Sequence, residues 1–213
     1  EQYGNSLTII LTNAWEVTAG SNITVTFDLV SPLQSSLESN FIDGTLTGWT
    51  AKTGTWTNLN GVIQSATTGT VQLSKDNLTG MNYSYEADIK LNAGTSAGAL
   101  TVGGNDENSN NYFVSLDSEN GQIKLYKNTP DQQLSNSLFA ITPNVWYHLK
   151  VVTNGLNIKI YINNEISPAI DYNSESDFAG NFGLNVYKGT AQFDNVKILV
   201  EPSLALNDNS LLA

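Results

Sequence analysis

Apolar residues recur at every second position through most of this chain. That period of two, the alternation of side chains across a strand, predicts strands wherever it persists. Near the end, Phe182, Leu184 and Val186 alternate with small or polar residues, and Ala191 and Phe193 resume the alternation beyond Lys188-Gly189-Thr190. Residues 180 to 199 therefore read as a closing β-hairpin with its turn at those three positions. The next apolar residues, Val196, Ile198 and Val200, stand an odd step from Phe193, which predicts a β-bulge at Asp194-Asn195.

Similar runs precede it at Gly61 to Ser65, Val71 to Leu73, Tyr83 to Leu91, Ala97 to Val102, Tyr112 to Asp117, Gln122 to Lys127, Trp146 to Thr153, Asn157 to Ile162 and Glu165 to Ile170. Asn-Gly steps at 60 to 61, 120 to 121 and 154 to 155 are hairpin signals, because both residues accept the positive φ that tight turns require. No window shows an amphipathic helix. The expected architecture is an all-β, antiparallel two-sheet jelly-roll sandwich. Residues 1–36 stand apart as an extension of two strand-like runs, Leu7 to Leu11 and Ile23 to Val30, ahead of a polar connector from Ser31 to Asn40. An isolated pair of strands is marginal in water, so these must join a sheet in this chain, in a neighbouring domain or in another subunit. Residues 37–200 form the sandwich, and 201–213 a polar tail.

Several motifs occur in the order seen in family 66 carbohydrate-binding modules. They are Gly48-Trp49-Thr50, Gly54-Thr55-Trp56, Tyr83-Ser84-Tyr85-Glu86-Ala87-Asp88-Ile89, Ala97-Gly98-Ala99-Leu100, Asn111-Tyr112-Phe113, Trp146-Tyr147-His148-Leu149-Lys150-Val151, and Phe182-Gly183-Leu184-Asn185-Val186-Tyr187 followed by Phe193-Asp194-Asn195-Val196. The chain resembles that family over about residues 40 to 199. The resemblance implies a concanavalin A-like jelly roll and the fructan binding of modules appended to levanases. After Ala97-Gly98-Ala99-Leu100 those modules place an Arg that grips the terminal sugar, whereas this chain has Gly103, and the tryptophan-like position at Asn185-Val186-Tyr187 is also changed. Losing a planar multi-donor guanidinium puts fructose specificity in question.

The 213 residues carry a net charge of −11, only 14% charged residues, nine Lys and no Arg, a balance unsuited to nucleic acid or an anionic membrane surface. Cysteine is absent, which excludes disulfides, thiolate chemistry and Cys-ligated metal. No apolar run reaches the roughly 18 residues of a membrane-spanning helix. With Asn-x-Ser/Thr sequons at Asn22, Asn77 and Asn82 and a start at Glu1, the chain reads as a processed, extracellular or cell-surface protein.

Enzyme chemistry finds little support. Jelly-roll glucanases carry Glu-x-Asp-x-x-Glu on one strand, but Leu91 stands where the final acid belongs after Glu86 and Asp88, so a two-carboxylate mechanism lacks a partner. The lone His148 reads as a packed or rim histidine. Asp43 and Asp194, at the two ends of the module, suit a structural Ca2+ site if the first and last strands are neighbours, the alternative being that Asp194 only caps its bulge. The loop from Gly104 to Asn108 reads as a solvated turn. Sugar binding needs an aromatic floor and planar polar groups, for which Trp49, Tyr112, Tyr187, Glu86 and Asp106 are the candidates, with Trp49 and Trp56 equally readable as core plugs.

Two functions remain open. One is a non-catalytic glycan-binding module, an enzyme or adhesin appendage that is lectin-like in action. The other is a structural subunit of an extracellular filament, tube or matrix that binds copies of itself by donating an N-terminal strand, with Leu7, Ile9, Leu11, Ile23, Val25 and Phe27 in register.

Overall fold

The computed structural model describes residues 35–104, 111–128 and 130–201. All of these belong to one compact unit, Gln34–Pro202. The strand-donation candidates Leu7, Ile9, Leu11, Ile23, Val25 and Phe27, and the glycan candidate Asp106, lie outside the described residues.

Thirteen strands, all paired antiparallel, form two packed layers, and no helix occurs among the described residues. The first layer contains β12 (Ile170–Asn173), β11 (Asn157–Ile162), β10 (Trp146–Asn154) and β5 (Tyr83–Leu91) in that spatial order. The second contains β9 (Asp131–Leu138), β8 (Gln122–Asn128), β7 (Tyr112–Asp117) and β6 (Ala97–Gly104). Two long strands, β4 (Val62–Gly80) and β13 (Gly180–Val200), complete both. Residues 181–187 of β13 pair with β6 and residues 191–200 with β5, while β4 follows β13 along most of its length. β2 (Trp49–Thr53) and β3 (Trp56–Leu59) pair with β4, and β1 (Ser35–Ser39) pairs with the end of β13.

The alternation read from sequence builds the core. Along β5, Tyr83, Tyr85, Ala87, Ile89 and Leu91 are buried and the residues between them are half-exposed. Against them from the other layer come Phe182, Leu184 and Val186, and Phe182 meets both tyrosines edge-on at ring distances of 4.7 and 5.4 Å. The buried hydroxyls keep partners, Tyr85 donating to the Gly183 carbonyl at 2.7 Å and Tyr83 to the Phe178 carbonyl at 3.1 Å. Burial pushes both phenols well above their ordinary value, so they stay neutral donors.

The expected closing hairpin is corrected. Lys188-Gly189-Thr190 does not reverse the chain, and β13 runs unbroken through it. Positive φ at Lys188 (49°) and Gly189 (116°) makes these residues a bulge, where the pairing with β4 skips a residue, and the strand passes from one layer to the other. Backbone bonds hold the crossing in place: Ser96 N–H donates to Lys188 O at 2.8 Å and Asn92 N–H to Thr190 O at 2.9 Å. The second expected bulge is present, with Asn195 at φ 49° and a register shift between Asp194 and Lys197. It turns Val196, Ile198 and Val200 back into the core.

Other boundaries differ too. The runs 61–65 and 71–73 belong to the single strand β4. Within the supposed connector, Ser35–Ser39 forms β1, whose polar sequence hides it although its backbone completes the edge of β13. β9 was not anticipated, because Asp-Gln-Gln-Leu-Ser-Asn-Ser-Leu has no apolar alternation. The run from Glu165 yields a strand only at Ile170, and Ile166 is 97% exposed. Asn60-Gly61 makes the two-residue turn between β3 and β4, with φ of 54° and 85°.

At Gly189 a Cβ would lie 2.5 Å from the Thr95 backbone, on a φ that L side chains rarely adopt. Gly189→Ala is therefore expected to destabilise the fold by about 2 kcal/mol or more, read as a lower urea midpoint with an unchanged slope.

Candidate functional site

Three surfaces gather polar or aromatic side chains. On the outward face of the first layer, alternation leaves Glu86 and Asp88 on β5, His148 and Lys150 on β10, and Lys197 on β13 pointing to solvent. Glu86, Asp88, His148 and Lys197 border a groove of about 330 Å³ with Glu38 and Asn195. Its charged groups satisfy one another. Lys197 donates to Glu38 at 2.8 Å, Lys150 lies 3.4 Å from Glu86, His148 Nδ1 lies 2.8 Å from Asp88, and Asn195 Nδ2 donates to the other Asp88 oxygen at 2.7 Å. The groove is a cross-strand charge ladder with little unspent hydrogen-bonding capacity.

A second cleft, also about 330 Å³, opens at the rim where the two layers meet. The ends of β7, β8 and β9 supply Tyr112, Lys127, Gln132 and Leu134, and the end of β12 with its following loop supplies Tyr172, Asn173 and Glu175. Tyr112 is buried, its hydroxyl 3.0 Å from Ser176 Oγ and its ring 4.8 Å from Phe178. The Lys127 ammonium lies 5.3 Å from the Tyr112 ring centroid. The loop is stiffened by Ser174 N–H donating to Leu156 O at 2.8 Å and Ala179 N–H donating to Asp177 at 3.1 Å. The half-buried Tyr172 ring with amide, carboxylate and ammonium groups around it matches the needs of a sugar ring, and the volume falls at the low end of small-molecule sites, about 300–1,000 Å³.

The outward face of the second layer is the third surface. Asp117 on β7 accepts from Asn120 Nδ2 at 2.9 Å and Gln122 Nε2 at 3.2 Å, with Lys124 at 3.2 Å. Burial pushes its carboxyl up, but these hydrogen bonds and the Lys124 charge outweigh burial and hold it below its ordinary value.

The sequence-nominated residues fall on different surfaces. Glu86 stands in the charge ladder, Tyr112 at the rim cleft, and Tyr187 on the outward face of the second layer, 42% exposed. Trp49 is buried in the core with its ring 6.1 Å from Phe41, and Trp56 packs 5.9 Å from Phe193. Tyr172, Glu175, Lys127 and Gln132 of the rim cleft were not singled out. Tyr172 sits among polar residues, a pattern that marks a sugar-facing aromatic, but it joins Gln132 only through the unanticipated strand β9.

β1 does lie beside β13, with Ser39 opposite Val196. The Asp43 carboxylate, four residues beyond Ser39, accepts from the Thr45 N–H at 2.9 Å and hydroxyl at 2.8 Å, and Asp194 accepts from the Asn195 N–H at 2.7 Å. No three His, Cys, Asp or Glu side chains converge to hold a metal ion among the described residues.

The position implied to carry a sugar-gripping Arg is closed. Gly103 has φ 62°, and a Cβ there would lie 2.9 Å from the Phe178 carbonyl oxygen. The loop that walls the rim cleft occupies that space.

A family profile described as the Concanavalin A-like lectin/glucanases superfamily matches residues 64–197. Among solved structures, the carbohydrate binding module CBM66 from Bacillus subtilis is 31% identical with a TM-score of 0.65, the match covering 71% of this chain and 95% of that one. A levanase of Bacillus subtilis (strain 168) is 29% identical over 171 residues, 78% of this chain, so the chain spans about a quarter of that protein's length. A β-1,3-glucanase from Mycobacterium marinum, 11% identical with a TM-score of 0.58 over 76% of this chain and 97% of its own, shares the fold alone.

Asp194 stands directly opposite Asp88 across the strands, and burial, then the Asp88 charge, raise its pKa above the ordinary 3.8 despite the Asn195 N–H. A carboxyl raised on folding opposes folding when ionised; the penalty is full above the folded pKa and vanishes as pH falls below 3.8. Asp194→Asn is expected to raise the urea midpoint at pH 7 and to lose that advantage near pH 3.

Proposed function

We propose that this chain, which belongs to the concanavalin A-like lectin/glucanase superfamily and within it to the family 66 carbohydrate-binding modules, is a non-catalytic module that holds a glycan at the rim cleft. The observation that carries the reading is the cleft's make-up: Tyr172 as aromatic wall, the buried Tyr112 in its lining, and Gln132, Asn173, Glu175 and Lys127 around it. Neutral sugars are bound through such combinations, the C–H face of the ring on an aromatic and the hydroxyls on planar polar groups. Likeness to the CBM66 module and to a levanase supports a fructan-like ligand. The closed Gly103 position means that a terminal fructose would be held here by the 172–176 loop and Lys127 rather than by a guanidinium from β6.

A hydrolytic role is disfavoured by the disposition of the carboxylates. Retaining hydrolysis needs a nucleophile and an acid flanking one bond. Glu86 and Asp88 are tied to Lys150, His148 and Asn195, and Leu91, where the second acid would stand, is buried in the core. The module's place is extracellular, on a cell surface or appended to a polysaccharide-degrading enzyme.

Calorimetric titration with fructose-terminated and β-1,3-glucan oligosaccharides tests the reading. Tyr172→Ala and Glu175→Gln are each expected to weaken binding at least tenfold without lowering the melting temperature; no heat with any of these sugars, or an unchanged affinity in Tyr172→Ala, would sink it. Gly103→Arg, which would place there the guanidinium that the family resemblance implies, is expected to destabilise the fold and bring no gain in fructan affinity, because its Cβ meets the Phe178 carbonyl.

A further inference from the structure

Three shielded polar side chains converge on the outward face of the second layer, and each keeps a polar atom that the fold leaves unpaired. Leu100, Val114 and Leu184 fill the core, so Thr101, Ser115 and Asn185 next to them in sequence point the opposite way. The register sets Asn185 opposite Ala99 and Ala99 opposite Ser115, with Thr101 in the adjoining row between Gly183 and Phe113. Thr101 is 1% exposed, Ser115 4% and Asn185 6%. Yet Thr101 Oγ1, Ser115 Oγ and Asn185 Nδ2 have no hydrogen-bond partner.

Buried polar atoms are almost always paired, so each exception calls for an explanation. Here three share one patch. Small residues, Ala97 and Ala99, floor the patch along β6, while Tyr187 stands at one end and the Phe113 and Tyr126 rings, 6.3 Å apart, stand at the other side. The patch makes a trough rather than a pit.

The unpaired atoms define their ligand's chemistry. A carboxamide nitrogen only donates, whereas a hydroxyl donates or accepts, so the missing partner has to offer acceptors and can offer donors beside them. Sugar hydroxyls do both. An anion would supply the acceptors, but Lys124, the cation beside Ser115 on this face, is already held by Asp117 at 3.2 Å, which favours a neutral ligand. Five strands, β13 to β9, span roughly 19 Å at the usual spacing of about 4.8 Å, room for a chain rather than a single sugar.

We infer that this face is a second glycan-contact surface, on which an extended polysaccharide segment crosses β13, β6 and β7 and hydrogen-bonds Asn185, Thr101 and Ser115. The inference rests on the glycan-binding reading and deepens it: the rim cleft holds a chain end, and this face holds the chain's interior. Because the three atoms are shielded, the polysaccharide reaches them as neighbouring side chains change rotamer, an adjustment common at binding surfaces.

The test compares the parent with the triple variant Thr101→Val, Ser115→Ala, Asn185→Leu. Native gels containing soluble levan, inulin or laminarin read polymer binding, and calorimetry with the matching short oligosaccharides reads the rim cleft. The triple variant is expected to bind polymer at least tenfold more weakly, to keep its affinity for short oligosaccharides, and to melt no lower than the parent, since it loses only unpaired polar groups. Equal retardation of parent and variant would overturn the second surface while leaving the rim cleft standing. So would a parent that short sugars bind but none of the three polymers retards. Failure of the parent to bind any short sugar would remove the rim reading instead. Should the triple variant melt lower, Thr101→Val and Asn185→Leu alone carry the same comparison.

Discussion

One strand has to belong to both layers. β13 pairs with β6 over its first third and with β5 over its last half, and it changes sheets at the bulge of Lys188 and Gly189. The backbone allows this only because Gly189 accepts a φ of 116° in a space already filled by Thr95. Once the crossing is set, Phe182 lies against Tyr83 and Tyr85 from the opposite layer, and Gly183 presents its carbonyl to the Tyr85 hydroxyl. Fully burying an aromatic or large aliphatic side chain contributes about 1.5–3 kcal/mol, and these rings are wholly buried. The hydroxyl bonds to backbone carbonyls add direction, fixing how far one layer slides past the other.

With the layers locked, the two outward faces differ in how they treat polar groups. On the first layer Glu38, Lys197, Glu86 and Lys150 pair across neighbouring strands and Asp88 is shared by His148 and Asn195. Such exposed pairs contribute little individually, about 0.2–1 kcal/mol, but they leave few groups unspent. On the second layer Thr101, Ser115 and Asn185 are left unpaired at the centre of the face. A protein selected for stability alone would place Val, Ala or Leu there. From this asymmetry the second contact surface is inferred.

Strands with clean alternation were legible from sequence. β5, β10 and β11 were read within a residue or two, because each has one buried and one wet face and therefore a strict period of two. β9 and β1 were not, since an edge strand made of Ser, Asn, Gln and Glu is held by backbone pairing that leaves no pattern in its side chains. The bulge at Asn195 showed itself as a slip of parity. The one at Lys188-Gly189 imitated a turn, because glycine at positive φ serves either geometry and only the continued pairing with β4 tells them apart. Site residues were harder still. Trp49 and Tyr187 were chosen by residue type, yet one lies in the core and the other on an open face, while Tyr172 and Glu175 reach the rim cleft through a loop whose path depends on β9.

Gly103 shows how one position of a shared fold is fixed by its neighbours. The scaffold that matches the CBM66 module keeps its layers and its alternating core. At the end of β6, however, the Phe178 carbonyl comes so close to Gly103 that any side chain would collide, and the Phe178 ring packs on Tyr112, whose hydroxyl meets Ser176. These contacts are mutually dependent. A side chain at 103 requires the 174–179 loop to withdraw, and withdrawal uncovers Tyr112 and breaks the Tyr83 bond to Phe178 O, which reaches into the core. Recovering the relatives' geometry therefore takes a rebuilt loop rather than one substitution. The rim cleft in this chain is a coupled product of β6, the loop and the core tyrosine beneath them.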